Sequence, residues 1–197
     1  KPEADCYIDA QGSYVSPGFI DIHTHGGGGH DFMDGSPEAI IKACMAHLAH
    51  GTTSICPTTL TCTDEELLTF FGCYREAGKQ MENGPELLGI HLEGPYFSLE
   101  QRGAQDPQYI KVPAKDDYKK LLDASDDIIR MSAAPELEGA MELADELKAR
   151  GILASIGHSD ATYAHVIEAW ERGYTHVTHL YSGMSTIRRI NAYRHLG

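Results

Sequence analysis

Residues 16–30 read SPGFIDIHTHGGGGH: a Pro-Gly turn, a short apolar run, two histidines one residue apart, four glycines and a third histidine. Side chains alternate along a strand, so His23 and His25 point to the same side of it. In a closed barrel that side is the mouth. By itself the pair is a weak metal signal, because turn hydrogen bonding or packing explains it equally well. The glycines do not follow a phosphate-binding spacing such as G-x-G-x-x-G. Their plain reading is a flexible turn; the sharper one is that missing side chains let backbone or ligand come close. The decision rests on what later segments bring to the same end of the fold.

Short apolar runs alternate with helical patterns along the chain. After GFIDI (18–22), Ser36 and Pro37 form an N-cap and first-turn pair, Ile41, Cys44, Met45 and Leu48 share a face, and Gly51 is a stop. TTSICP (52–57) is a second strand; Thr63 and Glu66 form a capping box ahead of a face of Leu67, Phe70, Phe71, Tyr74 and Met81. LLGIHLEG (87–94), DIIRMSAAP (127–135), ILASIGHS (152–159) and YTHVTHLY (174–181) are the next four strands. A long, turn-rich segment between Pro95 and Pro113 reads as a functional loop, and helix AKDDYKKLLDA follows it. Leu137, Ala140, Met141, Ala144 and Leu147 mark the next helix. The fifth, capped near Asp160, is expected to bury Tyr163, Val166, Ile167 and Trp170.

Six strand-helix units in a row imply a parallel sheet, either doubly wound or most of a (β/α)8 barrel. His23, His25, Glu93, His158 and His179 fall at the C-terminal ends of four different strands, where barrel active sites gather. A doubly wound sheet binds ligands at one switch point, on which four strands would not converge so readily. The barrel reading is therefore preferred. Two histidines with a carboxylate (Glu93, His158, His179) make a three-ligand metal set with a position left open for water. His91 shares parity with Glu93 and is read as a core or supporting residue; His176 is expected to face the helices. His30, His47, His50, His165 and His195 are read as surface or loop residues.

A formal net charge of −13 opposes binding to nucleic acid or anionic membrane through a general field. No apolar run is long enough to span a bilayer, so a cytoplasmic location is expected. Five cysteines, an odd number with no C-x-x-C pair, are read as reduced and mostly buried.

The segments SPGFIDIHTHGGGG, HLEGPYFSLEQRGAQDP, GHSDATY and THVTHLYSGMS resemble, in order, the signatures of the N-acetylglucosamine-6-phosphate deacetylase family within the amidohydrolase superfamily. The resemblance implies a metal-dependent (β/α)8 TIM barrel over residues 16–197, with about six units present, and a remnant of a small β-sandwich over residues 1–15. It implies Glu93, His158 and His179 as main metal ligands and His23 with His25 as a second site found in some members. One or two divalent ions follow, zinc first, with iron, cobalt or manganese as alternatives. Ser182 and Gly183 stand where members usually show Asn-Ala against the sugar phosphate. Arg188 or Arg189 stands at the phosphate-binding arginine, and Gln105, grouped with the substrate-binding residues, stands where many members have a His. The implied activity is deacetylation of an amino-sugar phosphate in amino-sugar catabolism, by a homodimer in the full-length enzyme. The family's catalytic Asp is expected beyond Gly197, so these residues are expected to be part of a longer enzyme and, alone, to bind metal poorly and hydrolyse nothing. Alternatives are another amidohydrolase acting on a cyclic or linear amide, or a non-catalytic fragment that binds metal or sugar phosphate. DIIRMSAAP lacks the fourth-strand lysine that many of the cyclic-amide enzymes carry.

Overall fold

The computed structural model describes residues 3–196, and for residues 187–190 and 195–196 the backbone only. The elements run β1 (Phe19–Thr24), α1 (Pro37–Leu48), β2 (Thr52–Pro57), α2 (Asp64–Gln80), β3 (Ile90–Glu93), α3 (Lys115–Asp123), β4 (Ile128–Ala133), α4 (Ala140–Ala149), β5 (Leu153–Ile156), α5 (Tyr163–Arg172) and β6 (Tyr174–Val177). An antiparallel hairpin, β7 (Ile187–Ile190) and β8 (Tyr193–Leu196), follows. Residues 3–18 carry no helix or strand, and their side chains are largely exposed.

β1 to β6 pair in chain order and in parallel; a single bridge between Thr58 and His91 joins the β1–β2 part to the β3–β6 part. The order never reverses, so the doubly wound alternative, which needs a switch point, does not apply. Among the described residues no strand pairing joins β1 to β6. The chain thus shows a curved, singly wound α/β sheet.

Helix starts follow the local chemistry of the sequence. Ser36 Oγ accepts from Ala39 N–H with Pro37 at the first helical position, and Thr63 and Glu66 form a reciprocal capping box on α2. The helices cover the outer face of the sheet. Ile90, Leu92, Met131, Ala133, Ala154 and Ile156 turn towards a core shared with Ile40, Cys44, Phe70, Phe71, Leu143 and Leu147. Each such Leu or Phe side chain contributes about 1.5–3 kcal/mol on burial. The alternate residues face inward and are polar: His91, Glu93, Arg130, Ser132 and Ser155 are all buried.

Two expectations are corrected. Tyr163, Val166, Ile167 and Trp170 on α5 are exposed, Tyr163 and Trp170 to 82% and 63%, and only Ala169 is buried. α4 lies beside α5, and no helix among the described residues covers its other flank. His176 faces inward, not towards the helices. The β5–β6 register shifts between Ala154↔Tyr174 and Ser155↔His176, which reverses the alternation, so Tyr174 meets Ala140 of α4 and His176 meets Ser155 Oγ. In addition, α5 is capped by Thr162, whose N–H donates to His165 Nδ1, while Asp160 accepts from Gln101.

Candidate metal centre

Every strand-end residue singled out in the sequence arrives at one place. Glu93, the last residue of β3 and 2% exposed, is its centre. His158 Nε2 lies 3.3 Å and His179 Nε2 3.1 Å from Glu93 Oε1, and the two Nε2 atoms are 3.1 Å apart. From β1, His23 Nε2 is 3.6 Å from Oε1 and His25 Nε2 is 3.1 Å from Oε2. Ligand atoms of His23, Glu93 and His179 lie within 4.8 Å of one another.

The ring protons show what this centre is built to hold. His25 Nδ1 faces Thr58 O at 3.3 Å, His158 Nδ1 faces Gln101 O at 2.8 Å, and His179 Nδ1 faces Ser182 O at 2.7 Å. A carbonyl only accepts, so each Nδ1 carries a proton, and Nε2 is left as the atom that faces the carboxylate, where a metal would take the place of a proton. Nitrogens and a carboxylate turned on one point need positive charge between them, supplied by protons or by a metal. With bonds of about 2.0–2.1 Å, a tetrahedral divalent ion holds its ligands about 3.3 Å apart, the spacing found between Glu93, His158 and His179. The donor set therefore fits a divalent metal.

Backbone geometry delivers these rings at a cost. His158 and His179, each two residues past its strand, have φ of 49° and 32°, a region that non-glycine residues seldom occupy. The His158 ring also packs against Phe97, with centroids 4.4 Å apart and the planes tilted by 34°. Gly183, at φ 61°, passes so close that a Cβ there would sit 3.1 Å from His158 Nδ1. At Gly26 the close-approach reading of the glycines holds and the flexible turn does not. A Cβ on Gly26 would fall 2.1 Å from His30 O, and His47 of α1, read from the sequence as a surface residue, bonds Gly26 O at 3.0 Å.

Electrostatics follow from burial and crowding. Burial alone would raise Glu93, but hydrogen bonds from His158, His179 and His25 outweigh it and hold the carboxyl far below its usual range. Hydrogen bonding to Glu93 raises His179; His25 is raised as well, Glu93 overcoming the burial that opposes it. Burial lowers His23 to about 4, so this ring is neutral near pH 7.

Of the residues implied for substrate, Ser182 and Gly183 lie beside the centre, and their carbonyls serve His179 and Ser159 N–H respectively. Gln105 is buried with both ends of its amide engaged: Oε1 accepts from Thr61 N–H at 2.8 Å and Nε2 donates to Glu93 Oε2 at 3.0 Å. It braces the carboxylate from behind. The side chains of Arg188 and Arg189 lie outside the described residues.

Sequence reading placed His91 as a core or supporting residue, which holds, but missed the rest of the layer beneath the ligands. His91 Nε2 meets Ser132 Oγ at 2.6 Å, Ser132 meets Thr178 Oγ1 at 2.6 Å, Thr178 meets Ser155 Oγ at 2.7 Å, and Ser155 meets His176 Nδ1 at 2.8 Å. Thr59 Oγ1 accepts from Glu93 N–H. The signal that could have found this layer is the alternation R-M-S-A in β4, where polar residues hold the inward positions of an otherwise apolar strand.

Residues 14–196 match the family model described as the amidohydrolase family. The N-acetylglucosamine-6-phosphate deacetylase of Bacillus subtilis (strain 168) is 38% identical over 177 residues, covering 88% of this chain and 45% of that relative. The crystal structure of the deacetylase of that name from Pasteurella multocida superposes with a TM-score of 0.84 at 34% identity, over 95% of this chain and 49% of that one. A mutant of the Mycobacterium smegmatis enzyme, in complex with N-acetyl-D-glucosamine-6-phosphate, gives a TM-score of 0.80 at 34% identity, over 88% of this chain and 45% of that one. The chain spans about half the length of the curated relatives it matches.

Proposed function

The chain belongs to the amidohydrolase family, and from that premise we propose that it is the metal-binding part of an N-acetylglucosamine-6-phosphate deacetylase. The observation that carries this reading is the convergence of His158 and His179 on Glu93 Oε1 with their ring protons turned away. Glu93, His158 and His179 would hold one ion, and His23 with His25 would hold a second where two are bound. A divalent ion in such a set acidifies its water and polarises an acetamide carbonyl, with zinc, iron, cobalt and manganese all suited to the donors. Net hydrolysis adds one water across the amide C–N bond and yields acetate and the free amine.

The chain's own residues orient and shield. Phe97 holds the His158 ring on one side, and Gln105 fixes the Glu93 carboxylate from behind, which we place as its role in preference to contact with the sugar. The Ser182–Gly183 backbone and Arg188 or Arg189 are assigned to the sugar phosphate. Among the described residues no helix is long and apolar enough to cross a membrane; a doubly charged sugar phosphate does not cross one either, and we assign the enzyme to the cytoplasm. Residues 1–15 are assigned to a small β-sandwich and the full-length enzyme to a homodimer.

The test is acetate release from N-acetylglucosamine 6-phosphate by the full-length protein loaded with each metal in turn. Turnover that needs both metal and Glu93 supports the proposal. Hydrolysis of cyclic imides with no action on the sugar phosphate overturns it, and calorimetric binding of glucosamine 6-phosphate without turnover would leave a binding role only.

A further inference from the structure

Three of the four histidines around Glu93 have their tautomer set by a backbone carbonyl. His23 does not. Its Nδ1 faces another imidazole, His91 Nδ1, at 3.2 Å. Two lone pairs cannot face each other at that distance without repulsion, and neither can two N–H groups, so one ring donates and the other accepts. The pair alone does not say which.

Arg130 settles it. This residue, on the inward side of β4 and 4% exposed, brings Nη2 to 2.6 Å from His91 Nδ1 and donates from the same nitrogen to Ile22 O at 2.7 Å. Guanidinium only donates and keeps its charge throughout the accessible pH range. His91 Nδ1 must therefore be the bare acceptor. Thr58 Oγ1, 3.4 Å away, donates to Cys56 O and does not alter this. His91 then carries its proton on Nε2, which donates to Ser132 Oγ at 2.6 Å. The hydroxyls of Ser132, Thr178 and Ser155 pass donation on in one direction as far as His176 Nδ1. Each hydrogen-bonded atom of the chain thereby has a role consistent with its neighbour: His91 Nδ1 shares its one lone pair between Arg130 and His23, and Arg130 Nε is buried without a partner among the described residues.

We propose that Arg130 is a positioning residue for the metal centre: acting through His91, it fixes His23 as the Nδ1–H tautomer and turns the bare Nε2 towards Glu93. The bare Nε2 and Glu93 Oε1, 3.6 Å apart, are then two acceptors with no proton between them, a gap that only a cation closes. A donor-only side chain on β4 does for His23 what a carbonyl does for His25, His158 and His179. This inference rests on the reading of His23 as a metal ligand, but needs no substrate and no particular reaction.

The test is long-range proton–nitrogen NMR of the full chain with 15N-labelled histidine, metal-free near pH 7.5. Expected are His23 protonated on Nδ1 and His91 protonated on Nε2; His23 protonated on Nε2 overturns the proposal with no variant needed. Arg130→Met should mix or reverse the His23 tautomers and weaken zinc at the His23–His25 side about 10–100-fold, the range for losing an outer partner of a ligand histidine. Arg130→Lys, again donor-only, should restore the wild-type spectrum. Unchanged tautomers and zinc affinity in a folded Arg130→Met overturn the role of Arg130. Leu143→Ala, which destabilises the helix side only, should leave the His23 spectrum as it is. Absence of deacetylation together with the expected tautomers would defeat the proposed function and leave this inference standing.

Discussion

The two faces of one sheet obey different rules. On the helix side, Ile90, Leu92, Met131 and Ile156 pack without direction against α2 and α4, and each contact contributes by area. On the concave side, His91, Glu93, Arg130, Ser132 and Ser155 are as deeply buried, yet each depends on a particular atom of a particular partner. Burying such groups is unfavourable unless every donor finds an acceptor. The helix side can tolerate a change of shape where the inner side cannot tolerate a change of proton position. Stability is therefore concentrated on one face and chemistry on the other, and substitutions should separate the two.

The largest separation is expected at Glu93. Glu93→Gln removes the charge on which four histidines converge, and metal affinity in chelator competition should fall by more than the roughly 100-fold that loss of an outer partner costs. Affinity unchanged would erase the distinction between the faces. Next is Phe70→Ala, which empties a fully buried site on α2 and should cost about 3–5 kcal/mol in denaturant melts while the folded fraction keeps its metal affinity. Gln105→Leu comes third. It strands Thr61 N–H and leaves Glu93 Oε2 to His25 alone, and metal affinity should drop about 10–100-fold with a smaller change in melting.

A pH series sharpens the inner-face reading. His179 and His25 are raised by Glu93, so each holds its proton to higher pH in the metal-free chain than an isolated imidazole does. That favourable pairing is complete below the unfolded value of 6.5 and is lost as pH rises through the folded value. Metal must displace those protons. Zinc affinity should therefore rise with pH, by about tenfold between roughly pH 6.5 and 7.5, and the zinc-induced increase in Tm should grow with it. A zinc effect that shrinks over that interval would show the histidines are not the ligands. The smallest effect is expected at Trp170→Ser on the uncovered flank of α5, within about 0.5 kcal/mol of wild type. A loss on the scale of Phe70→Ala would mean that this flank is covered in solution.

Sequence alone determined the alternation of strands and helices, the capping at Ser36 and Thr63, and the five residues that converge at the proposed metal centre, because periodicity, cap chemistry and placement at strand ends are local properties written in neighbouring residues. It did not reveal the left-handed turns at His158 and His179, the inward turn of His176 or the bracing of Glu93 by Gln105. Nor did it show Arg130 beneath His23, because that contact joins residues on β1, β3 and β4 that meet only when the sheet curves. Tertiary structure decided which nitrogen of each histidine carries its proton. A tautomer is set by the atom opposite it in space, and no spacing along the chain encodes that.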